Sequence, residues 1–102
     1  MFVILWEYEV KSECEESFAK VYGPEGAWVQ LFRGDPRYRE TRLLRDTFRH
    51  GTYLTMDYWE SEEAYTAFKE AHAAEYAAID RETEKLTVRE GYLGAFAMDA
   101  EA

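Results

Sequence analysis

Two tyrosines and a histidine recur at helical spacing in the stretch that follows Ser61. With each residue turned 100° about an axis, Tyr65, Phe68, His72, Tyr76, Ile79 and Leu86 fall on one stripe, and Glu62, Lys69, Glu70, Asp80 and Arg81 lie off it. Such a stripe faces an interior, where each phenol or imidazole carries a polar atom that needs a partner once it leaves water. A surface of this kind can serve as core and pocket at once. His72 is the candidate general base, because an imidazole titrates near neutrality and Tyr76 lies one helical turn further on. The competing reading is a core histidine with its ring nitrogens satisfied. Trp59 and Tyr65 are candidates for shaping a pocket, with Tyr58, Phe68 and Tyr76 lining it; the plain alternative makes them large core fillers.

Other chemistry finds less support. His72 and Glu75 have an i, i+3 spacing that could hold a metal, but two ligands without a second cluster do not make a site, and no metal is expected. Arg37, Arg39, Arg42, Arg45 and Arg49 could receive an acidic ligand, yet arginines in an exposed strand more often pair with carboxylates, which this chain has in excess. Cys14, flanked by Glu13, Glu15 and Glu16, falls on the buried face of a short helix and is expected to be inert. No glycine-rich phosphate loop, nucleophile elbow or HExxH motif occurs.

The elements that must position these groups follow from the hydropathy pattern. Phe2, Ile4, Trp6, Tyr8 and Val10 alternate with Val3, Leu5, Glu7 and Glu9, which predicts a first strand. Ser12 and Glu15 form a capping box for a helix burying Cys14, Phe18, Val21 and Tyr22, broken at Gly23 and Pro24 and resumed with Trp28, Leu31 and Phe32 until Gly34. A partly exposed strand from Tyr38 to Asp46 and a strand from Thr52 to Glu60 make a hairpin. In the second of these, Leu54, Met56 and Tyr58 share one face, and Tyr53, Thr55, Asp57 and Trp59 the other. Ser61 caps one long helix running to Leu86, and Thr87 to Met98 is the last strand, with a bulge or bend near Gly91 and Gly94. The order βαββαβ predicts an α+β, ferredoxin-like sandwich, a four-stranded antiparallel sheet with its helices on one face. The bare sheet face would then be covered by a second copy, giving a homodimer through the sheets.

Composition sets the outer bounds. The 102 residues form a single domain, 1–102, and the aromatic content of 17% exceeds what a minimal core needs, so a pocket or a subunit interface should absorb the surplus. A net charge of −9 argues against nucleic acid and anionic membranes, both of which demand clustered Lys and Arg. One cysteine excludes an internal disulfide and suits the cytoplasm. The opening MFVILWEYEV lacks a basic flank and a cleavage site and reads as a strand, not a signal peptide.

Four stretches carry a family resemblance: YGPEGAWVQLFR (Tyr22 to Arg33), TRLLRD (Thr41 to Asp46), YLTMDYWESEEAYTAF (Tyr53 to Phe68) and HAAEYAAID (His72 to Asp80). Together they resemble the antibiotic biosynthesis monooxygenase domain of the dimeric α+β barrel superfamily, from Met1 to about Phe96. The resemblance implies a homodimer whose sheets form a barrel, with a cleft in each subunit between sheet and helices. It also implies oxidation of phenolic intermediates by O₂ without metal, flavin or haem. The tryptophan and tyrosine that such enzymes place six residues apart are matched by Trp59 and Tyr65. Thr55 stands where an asparagine would bond the substrate, and an arginine of the second helix has no counterpart. Haem-degrading relatives need a tryptophan where Phe68 stands, so no haem is expected.

These readings combine into a cofactor-independent monooxygenase acting on a phenolic or quinol-like aromatic small molecule. Trp59 and Tyr65 would shape the pocket, Tyr58 or Tyr76 would add a hydrogen bond, and His72 would remove the phenolic proton. The alternative is a non-catalytic small-molecule-binding or structural homodimer of the same fold.

Overall fold

The computed structural model describes Met1 to Met98. Its elements are β1 (Phe2–Val10), α1 (Glu15–Tyr22), α2 (Ala27–Phe32), β2 (Tyr38–Arg45), β3 (Thr52–Trp59), α3 (Glu62–Ala71), α4 (Ala73–Thr83) and β4 (Thr87–Ala97). The four strands form one antiparallel sheet in the order β2-β3-β1-β4. This is the expected α+β, ferredoxin-like arrangement. No helix among the described residues is long and apolar enough to cross a membrane.

Strand alternation sorts the side chains onto two faces. Ile4, Tyr8 and Val10 of β1 join Tyr53 and Trp59 of β3 in a core closed by Phe18, Phe32 and Phe68 from the helices. Trp59 and Phe18 are wholly buried and Phe68 nearly so. Each such ring stabilises the fold by about 1.5–3 kcal/mol through removal from water. Phe32 meets Trp59 and Phe68 edge-on at 5.6 and 5.5 Å between ring centres, so aromatic contacts tie α2, β3 and α3 together. Gly26 lets α2 start tightly against α1, because a Cβ there would lie 2.0 Å from the Val21 carbonyl oxygen.

Two expectations need correction. The helix after Ser61 is not continuous. Ser61 Oγ accepts a hydrogen bond from the Ala64 amide as a cap should, but α3 ends at His72, whose φ of −120° and ψ of 30° separate it from α4. The break lets α4 turn across α2, where Tyr76 packs edge-on against Trp28 at 4.8 Å and Thr83 becomes buried. The capping box is also absent: the chain makes a 3₁₀ turn at Ser12–Cys14, and Ser12 Oγ bonds Glu13 instead. The irregularity expected near Gly91 and Gly94 is found as a bulge at Leu93, with a second register shift opposite Glu9 and Val10. Leu5 pairs with Gly94 and Trp6 with Tyr92, and Gly94 takes a φ of +145° that side chains disfavour.

Candidate functional site

The inward sheet face and the helices leave a cavity of about 270 Å³ between them. Its floor is made by Tyr8, Thr41, Thr55, Asp57 and Glu90, and its walls by Trp6, Tyr22, Trp28, Tyr65 and Tyr76, with Lys69 and Asp80 from the exposed sides of α3 and α4. The pairing of β1 with β3 puts Trp6 beside Thr55 and Tyr8 beside Tyr53, while its pairing with β4 puts Tyr8 beside Glu90. Strand register thus delivers polar groups from every strand to one surface.

Asp57 is the chemically distinct group of this floor. It pairs with Thr41 across β2 and β3, and Thr41 Oγ1 donates a 2.6 Å hydrogen bond to its Oδ1. That donation fixes the next link: with its proton committed to Asp57, Thr41 must accept from the Tyr38 hydroxyl, 2.7 Å away. Burial pushes the Asp57 carboxyl up to about 6, with the Thr41 bond pulling the other way. A carboxylate so placed is a stronger base than a surface one and is still ionised at neutral pH.

The phenols around it are kept neutral. Burial pushes the Tyr8 pKa well above that of an ordinary phenol and so suppresses its ionisation; its hydroxyl shares a 3.1 Å hydrogen bond with Thr55. Burial also pushes Tyr22 up to about 12 and raises Tyr65 and Tyr76. They can donate or accept hydrogen bonds but do not supply charge. Among the described residues lining the cavity, Lys69 is the cation, its ammonium lying 4.8 Å from the centre of the Tyr76 ring and 5.5 Å from that of Tyr65.

The residues singled out from the sequence divide by position. Tyr65 and Tyr76 line the cavity. Trp59 and Phe68 lie beneath it in the core, and Trp59 supports Tyr65 edge-on at 5.6 Å. Tyr58 stands on the opposite sheet face, its ring under Arg42 and its hydroxyl donating to Met56 Sδ at 3.9 Å. His72 is not brought to the cavity: it sits at the α3–α4 junction, its ring stacked on Phe68 at 4.7 Å and its Nδ1 2.8 Å from Glu75. Asp57, Lys69 and Glu90 were missed. The signal for Asp57 was a lone carboxylate on a strand face otherwise made of Tyr53, Thr55 and Trp59.

Residues 1–81 match the family model described as antibiotic biosynthesis monooxygenase. The chain belongs to this family. Solved structures share its fold at low sequence identity. A Nitrosomonas europaea protein assigned to the same family superimposes with a TM-score of 0.73 at 16% identity, covering 98% of this chain and 100% of that one. A mutant of SnoaB, a cofactor-independent oxygenase from Streptomyces nogalater, gives 0.72 at 16% identity over 98% and 94%. A NIPSNAP domain protein from Burkholderia xenovorans gives 0.72 at 16% over 100% and 98%. Neighbours this distant establish the fold and leave the chemistry to the site. No curated protein sequence matches at a significant level.

Proposed function

We propose that this family member is a cofactor-independent monooxygenase that binds a one- or two-ring phenol or quinol and oxidises it with O₂. The observation that carries the reading is Asp57, a raised and hydrogen-bonded carboxylate on the floor of an aromatic cavity. A cavity of about 270 Å³ sits just under the usual range of ligand sites, roughly 300–1,000 Å³, which favours small ring systems.

The residues have distinct tasks. Asp57 accepts the phenolic proton and Lys69 offsets the charge of the resulting phenolate, while the neutral tyrosines exclude water. The phenolate gives one electron to O₂, forming a phenoxyl radical and superoxide. These combine at a hydrogen-bearing ring carbon, ortho or para to the oxygen, forming a C–O bond. Loss of the C–H proton from that carbon and cleavage of the O–O bond release water and leave a quinone. One oxygen atom enters the product and the other becomes water. Tyr65 and Tyr76 border the ring, and Trp59 holds Tyr65 in place. His72 lies outside the cavity, so Asp57 replaces it as the proposed proton acceptor.

The test is O₂ consumption with a panel of naphthols and hydroquinones, comparing the native chain with Asp57→Asn and His72→Ala. Loss of a general base predicts a fall of about 10²–10⁴-fold for Asp57→Asn. Native-like turnover by that variant would overturn the assignment. The homodimer is part of the same proposal: Leu44, Leu93 and Phe96 stay exposed on the chain alone, and a sheet-to-sheet partner would cover them.

A further inference from the structure

The cavity floor has two chemically different ends. Asp57 pairs with Thr41 on one side and Ile4 on the other, whereas Glu90 pairs with Tyr8. Ile4 and Tyr8 are four residues apart on β1, so the two carboxylates are separated by about 13 Å along the strand direction. The proton-accepting end therefore does not include Glu90.

At the Glu90 end, negative charge is left without a counter-ion. Oε1 of Glu90 is enclosed and has no hydrogen-bond partner. Burial raises its carboxyl and the charges of Asp80 and Glu84 raise it further, with hydrogen bonds from Tyr22 and Thr87 pulling the other way. Among the described residues no lysine or arginine forms an ion pair with Glu90 or Asp80. This contrasts with Glu7 on the opposite face, which two arginines hold at 3.0 and 3.2 Å. Trp28, only 8% exposed, borders the same cavity. An enclosed carboxylate oxygen left open beside a cavity is a place for a ligand's donor to complete. The rings there accept cations, since Lys69 already rests on the face of Tyr76.

We propose that the Glu90 end binds the protonated amine of the ligand, with Glu90 and Asp80 as counter-ions and the faces of Tyr22 and Trp28 against the charged group. The substrate class is then an amine-bearing phenol, cationic at one end and oxidised at the other. The phenol half of this assignment rests on the oxygenase reading above. The amine half does not. A carboxylated aromatic of the same size is excluded by repulsion from Asp80, Glu84 and Glu90.

Four matched probes separate the two halves: tyramine, phenethylamine, 4-ethylphenol and 3-(4-hydroxyphenyl)propanoate, each titrated against the fluorescence of Trp6 and Trp28. Tyramine is expected to bind about tenfold more tightly than 4-ethylphenol, and the propanoate most weakly. Asp80→Asn, on an exposed helix face, and Glu90→Gln should each narrow the ratio of tyramine to 4-ethylphenol affinity towards one. Equal affinity for tyramine and 4-ethylphenol, the result for an end filled only by water, overturns the amine site, even if 4-ethylphenol is oxidised. Tight binding of phenethylamine by a chain that oxidises no phenol supports the amine site and overturns the oxygenase reading. Failure of all four probes to bind overturns the proposal.

Discussion

Thr41 Oγ1 donates a 2.6 Å hydrogen bond to Asp57 Oδ1 across the β2–β3 pair, and the same oxygen receives the Tyr38 hydroxyl. A buried carboxylate is thereby given one strong donor and no cation. The bond lowers the Asp57 pKa against the larger effect of burial. Thr41→Val keeps the shape of the side chain and removes the donor. The Asp57 pKa is then expected to rise above about 6, and the acid limb of the pH–rate profile to move upward with it. Carboxyl ¹³C chemical shifts followed through a pH titration check the first part directly. An unmoved Asp57 resonance would show that Thr41 does not tune it.

Asp57 also sets a pH dependence of stability that is independent of any substrate. The folded chain holds a proton on this group up to about pH 6, whereas the ordinary carboxylate value is 3.8. Between those values the folded state binds more protons than the unfolded one, so its stability falls as pH rises through the window and stays at the lower level above it. The loss is at most about 3 kcal/mol. Asp57→Asn carries no charge and should melt at a higher temperature than the native chain at pH 7.5. The advantage should fade as pH falls through 3.8 towards about 3, where the native carboxyl is largely protonated in both states. A melting difference that is constant with pH would contradict the raised pKa. A variant that is more stable and less active is the usual mark of a strained functional group.

Trp59 and His72 should behave in opposite ways from those their residue types suggest. Trp59 is fully buried among Phe32, Tyr38, Tyr65 and Phe68, so Trp59→Ala should cost about 3–5 kcal/mol and disturb the cavity by releasing Tyr65. His72 makes one stacked contact and one exposed hydrogen bond. His72→Ala should cost less than about 1 kcal/mol and leave turnover within a factor of two or so of native. Thermal melts and steady-state rates of the two variants decide both points. A His72→Ala chain that melts as natively but no longer turns over would return the base role to His72.

The pattern of legibility follows from which forces are local. The alternation of Phe2 to Val10, the hairpin at Gly51 and the Ser61 cap are local signals, and each element stands where they indicate. The α3–α4 break is not local: Ala71-His72-Ala73-Ala74 contains no glycine or proline, and the turn is driven by Tyr76 packing on Trp28, some fifty residues earlier. A continuous helix would hold His72 on the buried stripe; the break at His72 turns it out. Adjacent residues on a strand face opposite ways, so Tyr58 and Trp59 could not both face the cavity, and Asp57 had to share the face of Trp59. The openness of the cavity itself could not be read from the sequence, because it depends on how five aromatic walls meet.

The outer sheet face gives the last test. Val3 and Tyr58 are buried there, but Leu44, Leu93 and Phe96 are 43%, 50% and 51% exposed on the chain alone. Leu93 is the extra residue of the β4 bulge, next to Gly94, whose positive φ a substitution would strain. Apolar side chains exposed on both edge strands of one sheet face are costly in water and favour self-association. The proposed sheet-to-sheet homodimer predicts that Phe96→Lys, or Leu93→Lys where Phe96→Lys folds poorly, converts the chain to a monomer. Light scattering after gel filtration reads the mass, and circular dichroism confirms that the sheet persists. The cavity lies on the other side of the sheet, so a folded monomer should still bind its ligand with reduced thermal stability. A native chain that is already monomeric at high concentration would remove the homodimer from the proposal, while leaving the Asp57 cavity and its chemistry to stand on their own tests.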